Sequence, residues 1–182
     1  MSGAAKHFIE CSEVERRGNQ CFLGSIGRNR DASAALETLS RVAQAAPIAV
    51  PLIAKPLTEA AVAAGRQAQA LELLHASYCV SPSLDVLEGI VALEPDAAAA
   101  RNWYVRHLDR EPSLVAASRW LADEKLEHEE FHPQVQKALD HAVKPLTRYR
   151  CAACGFEAKQ HFWQCPGCQA WDSYPARRVE EL

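Results

Sequence analysis

Apolar residues recur at three- and four-residue spacing along most of this chain, as in Leu36, Leu39, Val42 and Ala43. That period marks helices that bury one face. It predicts helices near 4–17, 20–29, 32–46, 51–64, 67–80, 83–92, 95–109, 113–130 and 133–143. Pro56 sits awkwardly in the fourth, which leaves the start of that helix open between residue 51 and Pro56 itself. Pro47, Pro82 and Pro112 are placed to stop three of the others. No strand-type alternation precedes residue 147.

The pattern also repeats. AALETLSRVAQAAP (34–47) aligns with QALELLHASYCVSP (69–82): Ala35 with Ala70, Leu36 with Leu71, Glu37 with Glu72, Leu39 with Leu74 and Pro47 with Pro82, each pair 35 residues apart. A weaker third copy keeps Ala100, Tyr104 and Pro112 at the same internal offsets. The period is close to the roughly 34 residues of a tetratricopeptide repeat, a helix-turn-helix unit. Gly65, Ala70, Leu74 and Pro82 resemble that motif's later positions, and Leu23-Gly24 its first-helix pair. One such hairpin cannot bury its own apolar face, so neighbours must stack and share a core. Small residues at Ala35 and Ala70 let facing helices approach. The expectation is a mainly α fold, a degenerate tetratricopeptide-like solenoid over 1–146, with a non-repeating helical bundle as the alternative.

The remaining 36 residues, from Thr147, read differently. RYRCAACGFEAKQHFWQCPGCQAWDSYP has little helical periodicity, many aromatics and the pattern C-x2-C-x10-C-x2-C, formed by Cys151, Cys154, Cys165 and Cys168. Each C-x-x-C can wrap a tight turn whose backbone N–H groups point at sulfur, and two such turns make a closed tetrahedral thiolate site. Gly155 suits a sharply bent position and Pro166 stiffens the second turn. Phe156, Trp163 and Trp171 are available to cover the sulfurs, and His161 is surplus to the ligand set, a loop or surface residue. A segment this short cannot hold itself together by core burial, so a metal should supply much of its folding free energy. The domain reading is helical repeats over 1–146, a rubredoxin-like or zinc-ribbon four-cysteine knuckle over 147–176, and a tail over 177–182. The scattered Cys11, Cys21 and Cys79 are expected to be small buried hydrophobes.

Composition narrows the function. The chain is 48% hydrophobic and 24% charged, with a net charge of −3, so nothing calls for nucleic acid or an anionic membrane. From Thr147 to Leu182 there are five Arg or Lys and four Asp or Glu, and four thiolates on a divalent ion add about two negative charges. A nucleic-acid-binding zinc ribbon lacks its main driving force here. MSGAAKHFIE has no apolar signal core, and the longest greasy stretch, APIAVPLIA, is about half a membrane span and holds two prolines. HEEFH, residues 128–132, matches the His-Glu-x-x-His of zinc peptidases. Pro133 pushes His132 toward a helix end or turn, so the two histidines need not share a face, and no third ligand is evident. No catalytic constellation emerges. A four-cysteine iron site could instead cycle electrons, which keeps a rubredoxin-like carrier fused to a helical domain as an alternative.

A degenerate repeat array followed by RYRCAACGF and FWQCPGCQAWDSYP resembles the lipopolysaccharide assembly protein B family of Gram-negative bacteria. The resemblance implies a non-enzymatic adaptor on the cytoplasmic face of the inner membrane. Its implied partners are a membrane-bound ATP-dependent protease, the lipid A deacetylase whose degradation it promotes, and other lipopolysaccharide assembly factors. Members begin with a membrane-anchoring helix and carry further repeats; the expectation here is a fragment or a shortened relative with no span of its own. Only Cys151, Cys154, Cys165 and Cys168 carry over residue by residue. Spacing alone does not separate iron from zinc; the resemblance favours one iron ion, with zinc as the alternative occupant.

Overall fold

The computed structural model describes residues 32–122, Glu124 and 129–182. The helices expected at 4–17 and 20–29, Cys11, Cys21 and the Leu23-Gly24 pair lie outside the described residues. Seven α-helices follow: α1 Ala32–Ala45, α2 Val50–Ala64, α3 Gln67–Val80, α4 Leu84–Leu93, α5 Ala97–Leu108, α6 Leu114–Ala122 and α7 His132–Val143. Two short strands, β1 Tyr149–Arg150 and β2 Glu157–Ala158, pair antiparallel.

Helix starts carry the repeat into three dimensions. α1, α3 and α5 begin at 32, 67 and 97, and α2, α4 and α6 at 50, 84 and 114. The first spacings are 35 and 34 residues; the next are both 30, so the third hairpin is shortened evenly. Ala35, Leu36, Leu39 and Ala43 of α1 are buried, as are Ala70, Leu74 and Tyr78 of α3. Both sets meet α2 and α4 in one continuous apolar cluster. Gly89 permits the closest approach: a Cβ there would stand 3.2 Å from Leu74 Cδ1 and 3.3 Å from Thr58 Cγ2.

Local chemistry sets the helix ends. Gly65 closes α2 in the left-handed conformation at φ 66°. Ser83 Oγ accepts from Val86 N at the start of α4, and Asp96 accepts from Ala98 N and Ala99 N at the start of α5. α2 begins at Val50 and runs through Pro56 instead of starting there. The Pro56 ring is buried along with Ile53, Ala54, Leu57, Ala60 and Ala61, and that burial outweighs one lost backbone bond. The stretch Pro47–Ala64 is long and apolar enough by composition to cross a bilayer, but its apolar face forms the core of the array.

Two expectations need correction. The helix expected over 113–130 ends at Ala122, and a 3-10 turn at Glu129–Phe131 leads into α7. Glu124, the described residue just beyond Ala122, is no longer helical. Cys79 is exposed: it follows Tyr78 on α3 and is turned about 100° from the buried line of Ala70, Leu74 and Tyr78.

The last residues run back across the array. Arg178, with a side chain 12% exposed, bonds Asp85 at 2.6 Å and Glu88 at 2.7 Å, both on α4. Glu180 accepts from Ser113 Oγ at 2.8 Å and from the backbone of Leu114 and Val115, capping α6. Glu181 accepts from Leu84 N at 2.9 Å, at the start of α4. Each carboxylate therefore satisfies N–H groups that the helix itself cannot pair.

Candidate metal centre

β1 feeds the first cysteine turn. Cys151 N donates to Phe156 O at 2.9 Å and Gly155 N to Cys151 O at 2.8 Å; Cys165 N donates to Ala170 O at 2.9 Å and Gln169 N to Cys165 O at 2.8 Å. The two turns are thus built alike. Each ends in a left-handed residue, Gly155 at φ 77° and Gln169 at φ 62°. Glycine takes that conformation without strain; glutamine does not. The bridge Gln164↔Trp171 closes the second turn, as β1–β2 closes the first.

The turns bring Cys151, Cys154, Cys165 and Cys168 together, with all four Sγ atoms within 4.8 Å of one another. Cys151 and Cys168 stand 3.8 Å apart and Cys154 and Cys165 3.6 Å. These separations are too long for disulfides. Ligands about 2.3 Å from a tetrahedral ion stand about 3.8 Å from each other, so the spacing fits one thiolate-bound metal. Among the described residues this is the one group able to hold such an ion.

The electrostatics agree. The Ser173 hydroxyl, 3.2 Å from Cys151 Sγ, together with nearby backbone N–H groups, draws that thiol down to about 6. Cys165 is also lowered: desolvation opposes ionisation, and the N–H groups of Cys168 and Gly167 overcome it. Cys154 goes the other way, to about 12; the Phe156 backbone favours its thiolate, but Cys168, desolvation and the other sulfurs outweigh that. Four clustered sulfurs cannot all ionise without a cation among them. One divalent ion relieves that repulsion and accepts four thiolates.

The covering side chains differ from those expected. Phe156, Trp163 and Trp171 remain 44%, 41% and 45% exposed. The buried aromatics are Tyr149 and Tyr174, packed with Cys151 and Cys165. Tyr174 Oη donates to Phe156 O at 3.1 Å, across the first turn. His161 does lie in a loop, but it is a half-buried buttress: its Nε2 meets Tyr174 O at 3.0 Å, and its ring contacts Tyr149, Trp163 and Tyr174 edge-on. Ser173, Tyr149 and Tyr174 were the residues missed. Their one sequence signal is that they flank the two C-x-x-C pairs in RYRC and WDSY.

The knuckle is fastened to the array. Tyr149 Oη donates to Asp85 Oδ2 at 3.0 Å, beside the Arg178 fork, and Leu52 of α2 packs on the tyrosine cluster. Together with Glu180 at the start of α6, these contacts give the knuckle and the segment after it a footing on α2, α4 and α6. His132 of the HEEFH motif is the first residue of α7, with Nε2 on Leu121 O at 3.0 Å. His128 lies outside the described residues.

A protein-family model described as a rubredoxin metal binding domain matches residues 149–174. The chain is 27% identical over 127 residues to lipopolysaccharide assembly protein B of Escherichia coli, a match covering 65% of this chain and 33% of that protein. A protein of the same name from Haemophilus influenzae is 25% identical over 81 residues, covering 42% of this chain and 20% of the relative. The chain thus spans about a third of the length of the Escherichia coli relative it matches.

Proposed function

We propose that this chain is a metal-stapled helical adaptor in lipopolysaccharide assembly, holding partner proteins and not catalysing a reaction. The observation that carries the reading is the joint between knuckle and array. Arg178, Glu180 and Glu181 tie the segment beyond the cysteines to α4 and α6, so an ion at the knuckle stiffens the helices that would receive a partner. Stacked hairpins of tetratricopeptide type offer a groove suited to a helix or extended peptide. The similarity to proteins named for lipopolysaccharide assembly gives that groove its setting.

Cys151, Cys154, Cys165 and Cys168 would hold one iron ion, with zinc as the alternative occupant. In either case the ion supplies a fourfold cross-link between two turns. The setting is the cytoplasmic face of the inner membrane. The partners are a membrane-bound ATP-dependent protease and the deacetylase that commits precursors to lipid A, which the adaptor brings to degradation. Metal analysis with an optical spectrum of freshly purified protein identifies the ion. In a lipopolysaccharide-making bacterium lacking its own copy, expression of the parent gene should lower the deacetylase level, and Cys154→Ser and Cys165→Ser should abolish the effect. A deacetylase level indifferent to the parent gene would refute the adaptor reading.

A further inference from the structure

Ten arginines lie among the described residues, and eight of them reach a carboxylate or hydroxyl oxygen. The other two are Arg106 and Arg110, four positions apart on and just beyond α5. Both are exposed, and both lie over aromatic rings: the Arg106 guanidinium 5.1 Å from the Trp103 centroid, and that of Arg110 5.6 Å from Tyr78. A guanidinium resting on a ring keeps its N–H donors free at the edges and loses little further freedom when an acceptor arrives.

The floor beneath them is rigid. Tyr78 and His107 are each 1% exposed, and Tyr78 Oη meets His107 Nδ1 at 2.7 Å, which fixes the phenol ring. Trp103 stands edge-on to Tyr78 at 5.5 Å and is backed by the His75 ring at 4.8 Å. Asp109 and Glu111 share the segment, but neither pairs with the two guanidinium groups. The result is two localised, pre-oriented forks instead of a broad cationic surface.

We infer that Arg106 and Arg110 form a docking shelf for an acidic helical segment of a partner protein, one bearing two carboxylates a single turn apart. Four residues of helix rise about 6 Å, and a Glu pair at that spacing is set against two arginines that are likewise four positions apart, one over Trp103 and one over Tyr78. Each contact is then a charge-assisted, bidentate hydrogen bond. The inference rests on the adaptor reading for its biological setting, but its chemistry stands on these six side chains.

The test uses the metal-loaded full chain and a fluorescein-labelled, alanine-rich helical peptide carrying one Glu pair four residues apart, followed by anisotropy at low salt. Saturable binding is expected, and it should disappear when the peptide's glutamates are replaced by glutamine. Arg106→Gln and Arg110→Gln should each weaken binding about tenfold. The Arg→Lys variants should weaken it nearly as much, since charge is kept but fork and stacking are lost, and Arg41→Gln on α1 should leave it unchanged. The proposal fails if binding is absent, if it is equal in the Gln variants, or if the Lys variants bind as tightly as the parent. It also fails if inorganic phosphate or phosphatidylglycerol vesicles engage these arginines and the peptide does not. Loss of peptide binding alongside an intact effect on the deacetylase would reject the shelf and spare the adaptor; peptide binding without any cellular effect would do the reverse.

Discussion

Replacing Arg178 by methionine tests the joint between knuckle and helices directly. The methionine retains most of the apolar stem and removes the charge. Burial opposes the Arg178 charge, and the fields of Asp85 and Glu88 more than offset that penalty. Breaking a buried pair from one side costs about 3–5 kcal/mol when the remaining charge stays uncompensated. Two features reduce that figure here. The Glu88 side chain is 31% exposed and has Arg119 3.7 Å away, and Asp85 keeps the Tyr149 hydroxyl. The expected loss is therefore about 3 kcal/mol, read by urea denaturation of the metal-loaded chain at neutral pH. Arg178→Lys, which keeps a charge but not the fork, should lose about half as much. Combining Arg178→Met with Asp85→Asn should cost at least about 1 kcal/mol less than the sum of the single changes, because the second removes the charge that the first strands. A loss under about 1 kcal/mol for Arg178→Met, or strict additivity with Asp85→Asn, would refute the clamp.

Three further outcomes are expected. Gln169→Gly should raise the chelator concentration needed to unfold the knuckle, by relief of about 1 kcal/mol of left-handed strain, and Gly155→Ala should lower it by a similar amount; opposite signs would contradict the matched-turn geometry. Mass spectrometry of the intact native protein should find one metal ion in the parent and in Cys79→Ser, and loss of that ion in Cys154→Ser. His107 is held below its ordinary value by burial, against the opposing field of Glu111, so it is neutral in the folded chain. An unfolded histidine takes its proton near pH 6.5. The stability from neutral His107 is thus complete above that pH and falls as pH drops through it toward the lower folded value. Hydrogen-exchange protection factors within α3 and α5, taken relative to intrinsic exchange at each pH, should fall over that window, and His107→Gln should flatten the response; an unchanged slope would assign the effect to another group.

What could be read from the sequence was what is local or periodic. α3 runs from 67 to 80, as its apolar period indicated, because that face packs on both neighbouring helices. The four cysteines converge because each C-x-x-C closes its own turn. Contacts between distant segments leave no such trace. Arg178 reads as a solvated residue near a charged end, and nothing in its neighbourhood foretells a partner 93 positions away. His161 reads as spare because its role is to be stacked upon. Phe156, Trp163 and Trp171 were expected over the sulfurs, but two tyrosines hold the buried places, and each hydroxyl has a partner there: Tyr174 at Phe156 O within the knuckle and Tyr149 at Asp85 on α4.

The 93-residue separation of Arg178 from Asp85 has a consequence for biosynthesis. Chains emerge at about 5–20 residues per second, so α4 exists for roughly 5–20 s before the residue that neutralises its first turn has been made. Until then Asp85 lacks its cation, Glu88 has only Arg119 near it, and the N–H groups at the start of α4 and α6 have only water and Ser83 or Ser113 to meet them. All four cysteines are translated before Arg178. A nascent chain can therefore form its knuckle first and only afterwards add the Arg178 clamp, and a product broken off between Tyr174 and Arg178 would keep the whole four-cysteine site yet be held to the helices by Tyr149 and Leu52 without that clamp, more open to proteases than the finished chain.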